Sequence, residues 1–157
     1  MAGRETPATR AARQAGVRFA VHEYRHDPGA ASYALEAAEA LGLDPARVYK
    51  TLVVTPDGET LAVCIVPSAA TLDLRAVGKR AAMAPTARAE RVTGYVAGGI
   101  SPLGQRGRLP TLLDDSALAH ETVFVSAGRR GLELELAPQD LVALTGADVR
   151  PLRRAAG

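Results

Sequence analysis

Residues 48–66 read VYKTLVVTPDGETLAVCIV. Apolar and β-branched residues fill both ends, and Pro56-Asp57-Gly58 separates them. Proline presets φ for a turn and glycine supplies positive φ at no steric cost. The stretch therefore predicts a hairpin, with strands over 48–55 and 60–66. Successive side chains on a strand point to opposite faces. Lys50, Leu52 and Val54 thus share one face, and Tyr49, Thr51 and Val53 the other. Cys64 falls inside the second apolar run and reads as a small buried hydrophobe, not a nucleophile.

Outward from this hairpin, helix and strand signals alternate. Thr6-Pro7 reads as an N-cap and first helical residue, with Gly16 ending that helix. Residues 17–24 predict a strand and 25–31 a turn-rich loop. Ser32 is the expected cap of a helix over 33–41, closed by Gly42. Asp44-Pro45 opens a short turn. Downstream, 73–80 and 86–92 predict short helices, and 109–113, 122–126 and 132–136 predict strands. Pro138 opens a last helix through 144, and the tail PLRRAAG is expected to fray. The fold class is α/β: a single domain with a central mixed, mostly antiparallel, barrel-like sheet and surrounding helices. One domain is expected over 1–157, with its core at about 6–150.

Composition narrows the function. A chain of 157 residues suits one domain, and 47% apolar against 23% charged residues is globular, not disordered. No apolar run approaches the ~20 residues of a membrane span. The N-terminus has no apolar signal region, so the expected compartment is the cytoplasm. A lone cysteine forms no internal disulfide or multi-cysteine zinc site, and His22, His26 and His120 are scattered, so no metal and no cofactor are expected. Net charge is only +2, and arginine count alone is weak evidence for a nucleic-acid partner. Lys50 and Lys79 are the only lysines, which makes Lys50 conspicuous. The G-x-S-x-G, H-E-x-x-H, Walker A and G-x-G-x-x-G signatures are absent.

Three segments carry candidate chemistry. Lys50 is in phase with Leu52 and Val54, where an unpaired ammonium is expensive to bury. It either snorkels to solvent from a strand end or enters a polar pocket to bind an anionic or carbonyl oxygen. In Gly98-Gly99-Ile100-Ser101-Pro102-Leu103-Gly104, adjacent glycines allow backbone N–H groups to converge on an oxygen, though a tight connecting loop reads equally well. Ser101 is either a ligand donor or a turn residue. Ser126-Ala127-Gly128-Arg129-Arg130-Gly131 reads as a hairpin with its arginines in water. Glu133 and Glu135 alternate with leucines; one carboxylate near the hairpin is a candidate for a site, and the pair otherwise reads as a solvated strand face. His22 and His26 read as surface or capping residues.

Together these segments resemble a known family. VYKTLVV, GYVAGGISPLGQRGRLPTLLD and VSAGRRGLELELAP, with FAVHEYRHDP upstream, are similar to the YbaK/EbsC family of aminoacyl-tRNA deacylases over about 6–150. GGISPLGQR and the VS-x-G-[RK]-RG-L pattern tip the resemblance toward its Cys-tRNA(Pro) branch, with an Ala-tRNA(Pro) deacylase and a non-catalytic tRNA-end or synthetase-binding module as the alternatives. The resemblance implies an α/β editing domain that acts on tRNA(Pro) charged with cysteine, and a monomer is expected. It also implies prolyl-tRNA synthetase as partner in a ternary complex. Pocket shape separates similar small side chains by only roughly 1–3 kcal/mol, which is why a second hydrolytic site exists. The implied mechanism uses the substrate's thiol as nucleophile, so the enzyme supplies orientation and oxyanion stabilisation. By resemblance Lys50 binds and orients substrate, Gly98, Gly99 and Ile100 donate to the carbonyl oxygen, and Ser101, beside Pro102, holds the α-amine or a ribose hydroxyl. Tyr24 and Tyr33 flank the pocket; Thr51, Ser126, Gly128 and Glu133 complete substrate binding. Arg106, Arg129 and Arg130 contact phosphates.

Overall fold

The computed structural model describes residues 5–27 and 33–155. Helix α1 (Pro7–Ala15) begins as expected. The Thr6 hydroxyl accepts from the Thr9 N–H at 3.1 Å, the Thr9 hydroxyl oxygen accepts from the Thr6 N–H at 2.9 Å, and Gly16 closes the helix with φ 72°. The Thr6 hydroxyl also donates to the Ala127 carbonyl, which ties α1 to a later strand. Strand β1 (Phe19–Glu23) and helix α2 (Tyr33–Leu41) follow. The expected cap Ser32 lies outside the described residues.

The hairpin forms from β2 (Tyr49–Thr55) and β3 (Ala62–Pro67), paired antiparallel with Thr51 opposite Ile65. Its connection is longer than the sequence suggests. Asp57 holds it by accepting from the Glu59 and Thr60 N–H groups, both at 2.8 Å. Strand β4 (Ala82–Met83) pairs with the end of β2, and α3 (Thr86–Thr93) follows. Then come β5 (Thr111–Asp114), β6 (Val123–Arg129), β7 (Leu132–Leu136), α4 (Pro138–Thr145) and β8 (Asp148–Arg150).

Among the described residues the strands make two sheets, ordered β1-β7-β6 and β4-β2-β3-β5-β8. The only parallel strand pairs are β3 with β5 and β5 with β8, so the arrangement is mixed and mostly antiparallel. A single parallel bridge, Val48 to Phe124, links the sheets, and no closed barrel forms. The main core lies between them. Leu132, Leu134 and Leu136 of β7 meet Tyr49, Val63, Ile65 and Leu113 of the larger sheet, with Ala8 and Ala12 of α1 at one side. Each fully buried leucine contributes roughly 1.5–3 kcal/mol. The other face of the larger sheet buries Val54, Cys64, Val66, Leu72 and Leu152.

Two expectations fail here. Residues 73–80 form only a 3-10 turn, Leu74–Ala76, capped by Asp73. The tail does not fray through 155. Leu152 is fully buried, its N–H donates to the Asp114 carboxylate at 2.8 Å, and its carbonyl accepts from the Asp73 N–H at 2.7 Å. A basic, proline-led tail gave no hint of this because its anchor, Asp114, lies 38 residues away.

Candidate active site

The pleat of β2 creates the site. Alternate residues of a strand send their N–H and C=O groups to opposite neighbours. The Val53 carbonyl accepts from the Ala84 N–H, on the side away from β3. Thr51, two residues earlier, faces that same side. There β6 forms a backbone bridge only at Val48 and β4 begins only at Val54. Thr51 therefore sits in a gap between two neighbouring strands, and its buried hydroxyl has no hydrogen-bond partner among the described residues.

A cavity of about 380 Å³ fills this gap. Lys50, Thr51, Gly98, Ile100, Ser126 and Glu133 line it, with Tyr24 and Tyr33 at its walls. Eight of the sequence-derived candidates are thus brought together. Lys50 enters the cavity without a hydrogen bond or ion pair to any described residue, and burial pulls its ammonium below the usual lysine range. The Ser126 hydroxyl accepts from the Gly128 N–H at 3.1 Å, across an irregularity in β6. Burial raises the Tyr24 hydroxyl above the ordinary tyrosine value.

The glycine segment presses against the β6–β7 turn. Gly98 has φ 89°, and a Cβ there would lie 2.9 Å from the Tyr33 ring and 3.0 Å from Arg130 Cδ. A Cβ on Gly99 would lie 2.7 Å from the Arg129 backbone. The Gly99 N–H is already used, donating to the Val96 carbonyl at 2.9 Å. The N–H groups of Gly98 and Ile100 have no acceptor among the described residues, and both residues line the cavity. Of the three successive amides 98–100, these two are therefore free among the described residues.

Other candidates lie elsewhere. Ser101 is fully buried and accepts from the Leu103 N–H at 3.2 Å, which shapes the loop; neither it nor the buried Pro102 lines the cavity. Gly99, Gly128, Arg129 and Arg130 line a second cavity of about 280 Å³ behind the glycine segment. Arg106 is exposed beyond the end of α3 and lines neither cavity. His22 and His26 are paired instead with Glu135 at 2.9 Å and Glu36 at 3.1 Å. Cys64 is buried, which pushes its thiol up to about 11 and suits a structural residue.

The expectation of a solvated Glu133 fails. Leu132, Leu134 and Leu136 face the main core, so Glu133 and Glu135 share the opposite face, as expected from alternation. That face is covered by α2, whose Ala37 and Ala38 pack on Phe124. Glu133 is consequently only 6% exposed, and burial pushes its carboxyl up to about 8. Sequence reading also missed Tyr49 in the cavity wall. Its hydroxyl meets Ser116 at 2.7 Å, and Ser116 donates in turn to buried Asp114.

The sequence profile of the aminoacyl-tRNA editing domain matches residues 27–144. This chain belongs to that family, in its YbaK/EbsC branch. The editing domain is 36% identical over 113 residues to EbsC of Enterococcus faecalis, a candidate Cys-tRNA(Pro)/Cys-tRNA(Cys) deacylase, covering 69% of each chain. It is 28% identical over 110 residues to the uncharacterized protein YwhH of Bacillus subtilis, covering 68% of this chain and 70% of that one. Among solved structures, a candidate trans-editing enzyme for prolyl-tRNA synthetase superposes with a TM-score of 0.78 at 28% identity. That match covers 96% of this chain and 99% of the other.

Proposed function

We propose that this editing domain hydrolyses cysteine esters of tRNA, with mischarged Cys-tRNA(Pro) as its main substrate and Cys-tRNA(Cys) as a second. The observation that carries the reading is that one cavity is lined by Lys50, unpaired among the described residues, and by Gly98 and Ile100, whose N–H groups have no acceptor there. Donors fixed before the reaction stabilise charge that develops on an ester oxygen, and each such donor is worth about 3 kcal/mol. The hydroxyls of Thr51 and Ser126 line the same space, but no imidazole lines it to activate them. The relatives described as Cys-tRNA and prolyl-tRNA synthetase editing candidates support the choice of substrate.

In this reading the substrate thiol attacks the ester carbonyl. A C–S bond forms while Lys50 and the two amides hold the oxyanion. The C–O bond to the ribose then breaks, and the proton given up by the thiol ends on the ribose oxygen. The products are free tRNA and a four-membered cyclic thioester, which water opens to cysteine. Tyr24 and Tyr33 wall off the aminoacyl group, Ser101 and Pro102 set the loop, and Arg129 and Arg130 meet the RNA phosphates. The protein works in the cytoplasm as a monomer, with prolyl-tRNA synthetase beside it on the tRNA.

The test is deacylation of Cys-tRNA(Pro) and Ala-tRNA(Pro) by the purified protein. Rapid loss of cysteine with alanine retained is expected. Rapid loss of alanine with cysteine untouched would instead assign the alanine-specific activity, and loss of neither would leave a binding module.

A further inference from the structure

Glu133 is the one buried acid that lines the cavity among the described residues, and none of those residues pairs with it. It stands mid-strand on β7, in register with His22 of β1 and Ser126 of β6. It makes no hydrogen bond and no ion pair with any described residue, although Lys50 lines the same cavity. None of the described charged or titratable groups around it bonds to it, although Lys50 and Arg130 keep unpaired donors of their own. His22 turns to Glu135 at 2.9 Å, Glu36 of α2 binds His26 and the Asp27 N–H, and Arg130 stacks on Tyr33. Tyr24 lines the wall beside it as an uncharged phenol.

A buried carboxyl without a partner is costly unless a ligand supplies one. The ligand group that fits is a cation small enough to enter with the aminoacyl ester. Every aminoacyl ester carries one, its α-ammonium, on the carbon next to the carbonyl. Ser101, the other candidate for this amine, is turned into its own loop.

We propose that Glu133 is the receptor for the substrate's α-ammonium and that it restricts the site to esters with a free amine, excluding N-acylated ones such as peptidyl-tRNA. The inference rests on the deacylase reading and deepens it. An N-acyl group removes the positive charge and leaves the carboxyl desolvated and unpaired, the arrangement that discriminates most strongly. Burial keeps the proton on Glu133 in the empty site at neutral pH. Pairing with an ammonium ionises it, and the carboxyl proton passes to the buffer.

The test uses binding, so that it does not depend on turnover. The probe is 3′-cysteinylamino-3′-deoxyadenosine, an amide that resists hydrolysis, with its amine free or acetylated. Calorimetry in buffers of different ionisation enthalpy measures affinity and proton release. The wild-type protein is expected to prefer the free amine by about 100-fold and to release a proton on binding. Glu133→Gln is expected to lose both the preference and the proton release, and Glu133→Asp to keep the preference in part. Equal affinity for the two probes, affinity for neither, or a preference that survives in Glu133→Gln overturns the inference. A protein that selects the free amine yet leaves Cys-tRNA(Pro) intact refutes the deacylase reading alone.

Discussion

The Arg130 guanidinium sits 4.0 Å from the centre of the Tyr33 ring, at the junction of the two cavities. Its Nε and Nη2 atoms are buried and have no hydrogen-bond partner among the described residues. Gly98 lies against both side chains, and only a residue without Cβ fits there. A guanidinium held over an aromatic ring keeps its positive charge in place, which suits a phosphate at the 3′ end of the RNA.

Replacing Arg130 tests that role. Arg130→Gln is expected to raise KM for Cys-tRNA(Pro) about tenfold with kcat little changed. The salt dependence of log kcat/KM should flatten by about 0.7 units of slope, the share of one single-strand phosphate. Hydrolysis of cysteinyl-adenosine, which has no such phosphate, should not change. Steady-state kinetics at several salt concentrations check this.

Lys50 should behave as a reaction residue and not as a structural one. It has no partner to lose, so Lys50→Ala is expected to fold with an unchanged melting temperature. Its kcat is expected to fall about 100- to 1,000-fold, as on removing one oxyanion donor. Lys50→Arg should not restore activity, because a planar fork cannot place its charge as a single ammonium does. Single-turnover deacylation with a parallel thermal melt separates the two effects.

The glycine segment carries a mixed cost. Gly98→Ala must adopt φ 89° and push aside Tyr33 and Arg130. The backbone term alone is roughly 1–2 kcal/mol, which lowers the melting temperature by about 2–8 °C in a domain of this size. Activity on tRNA should fall further than stability explains, because the Arg130 contact shifts with it.

Glu133 links stability to pH. Its folded carboxyl titrates at about 8, against an ordinary value of 4.5. The folded state therefore holds a proton that the unfolded chain releases. Stability from this group is complete below pH 4.5, falls as pH rises toward 8, and is level above that. Glu133→Gln removes the burden, so it is expected to be the more stable protein at pH 8, by on the order of a few kcal/mol. The two should converge near pH 4.5. Urea unfolding of both proteins across this range measures it.

Local signals made much of the fold legible. Thr6-Pro7 and Gly16 bound α1, and the run from 48 to 66 forms its hairpin because those signals act within a few residues. The site was legible as a set of segments, since Lys50, the glycine run and the β6–β7 turn do meet. Three features were not legible, for one reason. The packing of α2 on Phe124, on the face that carries Glu133, the stacking of Arg130 on Tyr33 and the anchoring of Leu152 by Asp114 all join residues far apart in the chain. A leucine–glutamate alternation fixes which residues share a face, but not what packs against that face.

The central claim is that the misattached amino acid supplies the attacking atom. Single-turnover deacylation of Cys-tRNA(Pro) and Ser-tRNA(Pro) tests it most directly, because the two esters differ by one sulfur-to-oxygen exchange. The account predicts that the cysteine ester is cleaved at least about 100-fold faster, in keeping with the stronger nucleophile. Equal rates for the two esters would contradict it.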